Sequence, residues 1–381
     1  MHSNNPPLKT ALIMGTRPEA IKLIPVYFEL KRRGVETVLV STGQHKEMLQ
    51  QVFEWFDVVP DLDLDVMTAN QSLAMLTSNI IQKLDSFFST QPVDIVLVQG
   101  DTTTAFASSL VAFYHKIKVA HVEAGLRTFN KFSPWPEEIN RCLISRLADL
   151  HFAPTSWSET NLLQEGIKQS NIVLTGNTVI DALLYSVEKV KQQNIQPKSL
   201  TEFFNGAHAE KPIILITGHR RENWGKGFED ICHAIGTLAT QHKDMFFIYP
   251  VHLNPNVKNI VHEKLGNLEN VILVNPLNYP EFISLMNRCY LILTDSGGVQ
   301  EEAPSLGKPV VLMRDTTERP EGVESGNVKL TGTSPEKIIE EVNALINNKS
   351  LYEQMSALKN PYGDGRASEI ITDSILSFQS K

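Results

Sequence analysis

The sequence predicts an α/β protein of two Rossmann-like domains whose parallel sheets face a central cleft. Short, near-continuous Ile/Leu/Val runs alternate with helical patterns along the whole chain, as parallel strands covered on both faces do. At 381 residues the chain exceeds one typical core and suits two domains of roughly 150–200 residues each. Polar and glycine-containing turns follow one strand after another, the place beyond strand ends where open parallel sheets bind ligands.

In the first half the strands read as Lys9–Met14, Thr37–Ser41, Asp94–Gln99, Lys118–Glu123, Leu150–Ala153 and Asn171–Leu174. Helical stretches Glu19–Arg32, Gln71–Ser89, Thr103–Tyr114 and Pro136–Ala148 lie between them. The second half repeats the theme with Pro212–Thr217, Met245–Pro250, Asn270–Val274, Tyr290–Thr294, Pro309–Met313 and Asn327–Lys329. The stretch from Gly176 to Pro212, with its polar run Lys191–Lys198, carries the boundary. We place it between residues 177 and 178, so that the second domain spans 178–364.

Composition is that of an ordinary globular protein, 42% hydrophobic and 20% charged. A formal net charge of −8 argues against a nucleic-acid groove as the main business. No apolar run nears the ~20 residues that span a bilayer. Met1–Pro7 is polar, has no basic-then-apolar leader, and reads as a short frayed tail. Cys142, Cys232 and Cys289 are far apart and fit neither a disulfide framework nor a zinc ligand set. A cytoplasmic protein without metal is expected.

The most telling segment is Leu291-Ile292-Leu293-Thr294-Asp295-Ser296-Gly297-Gly298-Val299-Gln300-Glu301-Glu302. It reads as a buried strand, a tight turn and a helix start. Such a start offers unpaired N–H groups and the positive end of the helix dipole to an anion such as a diphosphate. Gly297 and Gly298 let backbone approach phosphate oxygens, and Glu301 or Glu302 can accept from a ribose diol. An ordinary strand-to-helix turn is the plainer reading.

Other strand ends carry further chemistry. Gly15-Thr16-Arg17-Pro18-Glu19-Ala20-Ile21-Lys22 has the spacing of neither GxGxxG nor a P-loop; Arg17 and Lys22 can point at a phosphate, or stand as solvated charges at a helix start. Asp101 in Gln99-Gly100-Asp101-Thr102 also suits a helix cap. Glu123 ends a buried-looking strand, where an unpaired carboxylate costs several kcal/mol, so Arg127, His121 or a substrate must partner it. Glu137-Glu138 follow Pro136 at a helix start, where they complement the dipole. Three carboxylates at strand ends without a His/Cys cluster suggest proton chemistry, an acid and a base with pKa values pushed apart, more than metal binding. In the second half, His219 and Arg220 suit recognition of a diphosphate or stabilisation of a departing one. His252 and Asn254 end the next strand. Arg319 answers a substrate, or merely Glu318 and Glu321.

Taken in order, Gly15-Thr16-Arg17-Pro18-Glu19-Ala20, Gly100-Asp101-Thr102-Thr103, His121-Val122-Glu123-Ala124-Gly125-Leu126-Arg127, Pro134-Trp135-Pro136-Glu137-Glu138, Gly218-His219-Arg220-Arg221-Glu222-Asn223, Asp295-Ser296-Gly297-Gly298-Val299-Gln300-Glu301-Glu302 and Arg314-Asp315-Thr316-Thr317-Glu318-Arg319-Pro320 resemble the non-hydrolysing UDP-N-acetylglucosamine 2-epimerase family. Asn360-Pro361-Tyr362-Gly363-Asp364-Gly365 fits too. The resemblance implies the glycosyltransferase-B architecture, a last helix (365–381) that crosses back to the first domain, and UDP held mainly by the second domain. It implies interconversion of UDP-N-acetylglucosamine and UDP-N-acetylmannosamine through UDP and 2-acetamidoglucal, without NAD or another cofactor, and a homodimer serving surface polysaccharide synthesis. Asp101, Glu123 and Glu137 then carry the acid–base work, and His219 contacts the diphosphate or stabilises its departure. Arg17, Lys22, Arg220, Asn254, Ser296, Gly297, Gly298, Glu302 and Arg319 bind substrate. Gln44, Glu138, Arg220 and His252 are candidates for an effector site holding a second substrate molecule, although Glu47 and Asn70 stand where some members have Gln and Arg. Rivals are a glycosyltransferase of the same architecture, a hydrolysing epimerase, and a catalytically dead UDP-sugar sensor.

Overall fold

The computed structural model describes residues 8–68 and 71–379, so the Met1–Pro7 tail and Asn70 lie outside the described residues. The chain forms two compact units, one running up to Ala182 and resumed from Tyr362, the other Leu183–Pro361. The first break thus falls inside the helix Thr178–Gln192.

The first unit holds seven strands: β1 (Lys9–Met14), β2 (Glu36–Ser41), β3 (Leu62–Asp63), β4 (Ile95–Gln99), β5 (Lys118–Val122), β6 (Leu150–Ala153) and β7 (Ile172–Leu174). Their order is β3-β2-β1-β4-β5-β6-β7, and every pairing is parallel. Ala11 on β1 lies opposite Val38 on one side and Val96 on the other. All five residues of β4 are buried, which is why it reads as an unbroken apolar run and not an alternating one. The strand order reverses direction between β1 and β4, so the loops after those two strands flank the switch point of this sheet. The last helix, Ala367–Gln379, packs against the helix Arg17–Arg32 within the same unit, with Arg33 donating to Asp373 at 2.6 Å.

The second unit repeats the plan with β8 (Ile213–Thr217), β9 (Phe246–Pro250), β10 (Val271–Val274), β11 (Leu291–Thr294), β12 (Val310–Leu312) and β13 (Val328–Leu330). The order β10-β9-β8-β11-β12-β13 is again all parallel, with its switch point between β8 and β11. The helix Lys226–Gln241 buries Phe228, Ile231, Cys232, Ile235, Leu238 and Ala239, a 3.6-residue stripe laid on the sheet. They pack with Phe247, Tyr249 and Leu293 of the sheet in one core. Full burial of each large side chain is worth about 1.5–3 kcal/mol, and Phe228→Ala would cost about 3–5 kcal/mol.

The two parallel α/β sheets expected from the sequence form, with local omissions, among them β3 and the helix Lys46–Trp55. Strand β3 has only two residues and one apolar side chain, too little for any periodicity. The helix Lys46–Trp55 starts after His45, which makes no side-chain cap, so it lacks a start signal. Strand β5 also stops one residue short: Glu123 has φ 63° and leaves the ladder.

Candidate active site

Each sheet carries a cluster of polar side chains at its own switch point. In the first unit, Gly15 follows β1, and a Cβ there would lie 2.2 Å from Thr104 Oγ1 and 2.4 Å from Thr42 Oγ1. Only glycine lets the β1 loop touch the helix that follows β4. Thr104 also donates to Gln44 Oε1 at 2.9 Å. Glu19, three residues after Thr16, is fully buried and accepts from the Gly15 and Thr16 N–H groups at 2.9 and 2.7 Å. Arg17 opens the helix and is exposed.

Lys22, one turn further on, places its Nζ 2.5 Å from Glu123 Oε1. Asn177 Nδ2 donates to the same oxygen at 3.0 Å, and Gln99 Nε2 donates to Glu123 Oε2. These donors hold a nearly buried carboxylate on a residue in the left-handed region, a conformation that costs of order 1–3 kcal/mol for a non-glycine residue and persists where surroundings fix it. The partners expected for Glu123 are thereby corrected. Arg127 is gripped by Glu165, with Nε to Oε1 at 2.6 Å and Nη2 to Oε2 at 2.9 Å, and also donates to Ser145 Oγ at 2.9 Å. His121 points the other way, its Nε2–H donating to the Gly100 carbonyl at 2.7 Å. Burial lowers this imidazole to about 3 despite that hydrogen bond, so it is neutral near pH 7.

Asp101, just beyond β4, is held from the helix Glu137–Leu147. Arg141 Nε donates to its Oδ2 at 2.7 Å and Asn140 Nδ2 to its carbonyl at 2.9 Å. Arg141 also donates to Glu138 Oε2 at 2.9 Å. Glu138 is buried and accepts the Thr128 and Phe129 N–H groups at 3.1 and 2.9 Å, which commits it to the loop 128–129. Glu137 differs: its buried Oε2 has no hydrogen-bond partner among the described residues. Two of the carboxylates thus sit beside fixed cations, and a third has an uncommitted oxygen.

In the second unit, the buried Asp295 follows β11 and accepts from the His219 and Arg220 N–H groups at 2.9 and 2.8 Å. Its Oδ1 lies 3.5 Å from His219 Nδ1. The His219 ring stacks on His252, centroids 5.5 Å apart and planes 20° apart. Burial lowers the His219 imidazole, Asp295 opposes, and Arg220 and His252 add to the lowering. The Nε of Arg220 is buried without a hydrogen bond among the described residues. Ser296 precedes the short helix Gly297–Glu302 without a side-chain cap bond, its N–H donating to Thr294 Oγ1 at 2.9 Å. A Cβ on Gly297 would lie 2.7 Å from Arg319 Nη1, so glycine here makes room for the guanidinium, whereas a Cβ on Gly298, which is exposed, would meet nothing. Arg319 Nε lies 2.5 Å from Glu301 Oε1 and Nη1 3.0 Å from Glu318 Oε1. Against the burial that opposes ionisation, Arg319 and Arg314 hold the Glu318 carboxyl down to about 2. Glu302 is buried, and Asn254 accepts from Asn256 N at 2.9 Å as the cap of its own helix.

Within the first unit Lys22 and Glu123 therefore meet, and Asp101 stands at the neighbouring strand end. Within the second, His219, Arg220, His252 and Asp295 meet, as do Gly297 and Arg319. Sequence reasoning gave no role to Glu19, Gln99, Arg141, Asn177 or Asp295. Asn177 and Asp295 follow strands, a readable signal; Arg141 lies inside a helix and shows none. Among the described residues no group of three or more His, Cys, Asp or Glu could hold a metal ion, and no helix is long and apolar enough to cross a membrane.

Residues 29–376 match the family model described as UDP-N-acetylglucosamine 2-epimerase. The UDP-N-acetylglucosamine 2-epimerase of Escherichia coli O157:H7 is 50% identical over 369 residues, covering 97% of this chain and 98% of its own. Among solved structures, the UDP-GlcNAc 2-epimerase of Neisseria meningitidis bound to UDP-GlcNAc is 48% identical with a TM-score of 0.87, covering 97% of this chain and all of that one. The Methanocaldococcus jannaschii enzyme in complex with UDP-GlcNAc and UDP is 35% identical with a TM-score of 0.77, covering 97% and 100%.

Proposed function

This chain belongs to the UDP-N-acetylglucosamine 2-epimerase family, and from that premise we propose that it interconverts UDP-N-acetylglucosamine and UDP-N-acetylmannosamine by elimination and re-addition. A carboxylate takes the C2 proton while the C1–O bond breaks and its electron pair leaves with UDP. The product of this half-reaction is 2-acetamidoglucal, with a C1–C2 double bond. UDP oxygen then returns to C1 as a proton is delivered to the other face of C2. No hydride moves, and no redox cofactor is required.

The observation that carries this reading is the carboxylate set at the ends of β4 and β5 in a chain whose 48%-identical relative binds UDP-GlcNAc. A C2 proton not flanked by a carbonyl is weakly acidic, so base and leaving-group stabilisation must act together. Asp101, Glu123 and Glu137 supply the first. His219, Arg17, Arg220 and Arg319 supply the second, with Ser296, Gly297 and Gly298 around phosphate, Glu302 at the ribose and Asn254 nearby. Lys22 serves through Glu123, which it contacts directly.

Several finer features belong to the same reading. A homodimer is supported by Met75, Phe113, Tyr114, Ile139 and Leu143, large apolar side chains exposed on helices that pack side by side. A cytoplasmic enzyme supplying N-acetylmannosamine to surface polysaccharide is consistent with its substrate class. Gln44, Arg220 and His252 are effector contacts in this scheme, with the buried Glu138 acting only through the loop 128–129 that it holds, and sigmoidal rates from the N-acetylmannosamine side, abolished by trace UDP-N-acetylglucosamine, are the expected sign.

Proton NMR of UDP-N-acetylglucosamine incubated with the protein in heavy water tests the reaction. Deuterium at C2 together with a UDP-N-acetylmannosamine signal is expected. Free N-acetylmannosamine would mean a hydrolase, and an unchanged spectrum would mean a transferase or a sensor.

A further inference from the structure

We propose that Glu19 is a positioning residue for this epimerisation: one carboxylate ties the loop that carries Arg17 to the loop that carries Asp101, and acts on Asp101 by way of Thr102. The inference rests on the functional reading above and extends it to a residue that touches no reacting atom.

Three hydrogen bonds converge on Glu19. Its Oε2 accepts the N–H groups of Gly15 and Thr16, at 2.9 and 2.7 Å. Its Oε1 accepts the Thr102 hydroxyl at 2.6 Å, across 83 residues of sequence. Thr102 Oγ1 in turn accepts the Ala105 N–H at 2.9 Å as the cap of the helix Thr103–Tyr114. Two helix starts at adjacent strands are thus joined through one side chain. Closing a helix start needs only the first pair of bonds, and an exposed glutamate does that at no desolvation cost. Here the carboxylate is fully buried. Burial lifts its pKa to about 7, against the hydrogen bonds from Thr102, Gly15 and Thr16. A purely local cap gives no reason for that expense, whereas a link to Thr102 does.

Asp101 precedes Thr102 in the chain. From its other side Arg141 holds its carboxylate and Asn140 its carbonyl. The Glu19 link ties that backbone to the loop after β1, and Gly15 against Thr104 and Thr42 shows how closely the two loops are drawn together. Loosening it would let a catalytic carboxylate drift, and misplacement by about 1 Å can cost on the order of 100-fold in rate.

The test uses the full chain with Glu19→Gln, Thr102→Val, Thr102→Ser and the Glu19→Gln/Thr102→Val double variant. For each, kcat and KM for epimerisation, UDP affinity by calorimetry and the melting temperature are measured. We expect kcat to fall roughly 10- to 100-fold in Glu19→Gln and Thr102→Val, with UDP affinity held within about twofold. Thr102→Ser restores activity, and the double variant is no worse than the poorer single one, because both break one link. Should Glu19→Gln fail to fold, Thr102→Val decides alone. Wild-type kcat in a folded Thr102→Val protein, or UDP affinity falling in step with kcat, would overturn the proposal. A wild-type protein that does not epimerise at all would instead remove the functional reading, and this inference with it.

Discussion

The two switch points solve the same local problem with opposite chemical surroundings. Each sheet buries a carboxylate that accepts two successive backbone N–H groups of the loop after its central strand, Glu19 for Gly15 and Thr16, Asp295 for His219 and Arg220. In the first unit the acceptor comes from the helix that follows the same strand. In the second it comes from the neighbouring strand end, 76 residues on from His219. Around Glu19 the other functional side chains are mainly carboxylates beside fixed cations. Around Asp295 they are imidazoles, an arginine and glycine-spaced backbone. On the proposed reading one loop framework serves an acid–base role in the first unit and an anion-binding role in the second, and what differs is the residue at each strand end.

Removing a proton-transfer carboxylate should break the contrast most severely. Asp101→Asn or Glu123→Gln is expected to slow C2 exchange with deuterium about 10²–10⁴-fold, read by NMR, while UDP binding measured by calorimetry is nearly unchanged. Asp295→Ala strikes the second framework. It frees two partly buried N–H groups and should lower stability by about 1–3 kcal/mol in all, seen as a lower urea midpoint, with weaker UDP binding. For His219→Ala the expectation is milder, a loss of roughly tenfold in UDP affinity or in the rate of UDP departure.

The pH dependence of stability separates the two units in another way, because the signs are opposite. Glu19 rises from 4.5 to about 7 on folding, so the stability it confers is complete below 4.5 and is lost as pH rises through 7, about 3 kcal/mol in all. The stability gap between wild type and Glu19→Gln should therefore shift in favour of wild type as pH falls from 7 to 4.5. Glu318 falls from 4.5 to about 2, so its contribution is present above 4.5 and disappears as pH drops through 2. Wild type should lose its advantage over Glu318→Gln across that lower window. Denaturant midpoints at each pH measure both.

The two sheets were legible because a strand buried on both faces is apolar along its length, and β4 and β11 are so up to their last residues, Gln99 and Thr294. The strand-end motifs were legible for the same reason, since a polar residue closing such a run stands out. Glu123 was singled out in this way, but its partners were misread: Arg127 is near in sequence and points away, whereas Lys22 and Asn177 are distant and converge on it. Contacts between strand ends depend on sheet order, which periodicity does not encode. Glu138 and Glu137 are adjacent at one helix start, and only coordinates separate the committed carboxylate from the one with an open oxygen.

The division of labour between the halves is tested most directly by measuring C2 deuterium exchange and UDP affinity side by side on Glu123→Gln and His219→Ala. Glu123→Gln should lose exchange and keep its hold on UDP, while His219→Ala should bind UDP more weakly or release it more slowly from the sugar. If Glu123→Gln exchanges the C2 proton at the wild-type rate, or binds UDP as poorly as it exchanges, the assignment of proton chemistry to the first unit is wrong.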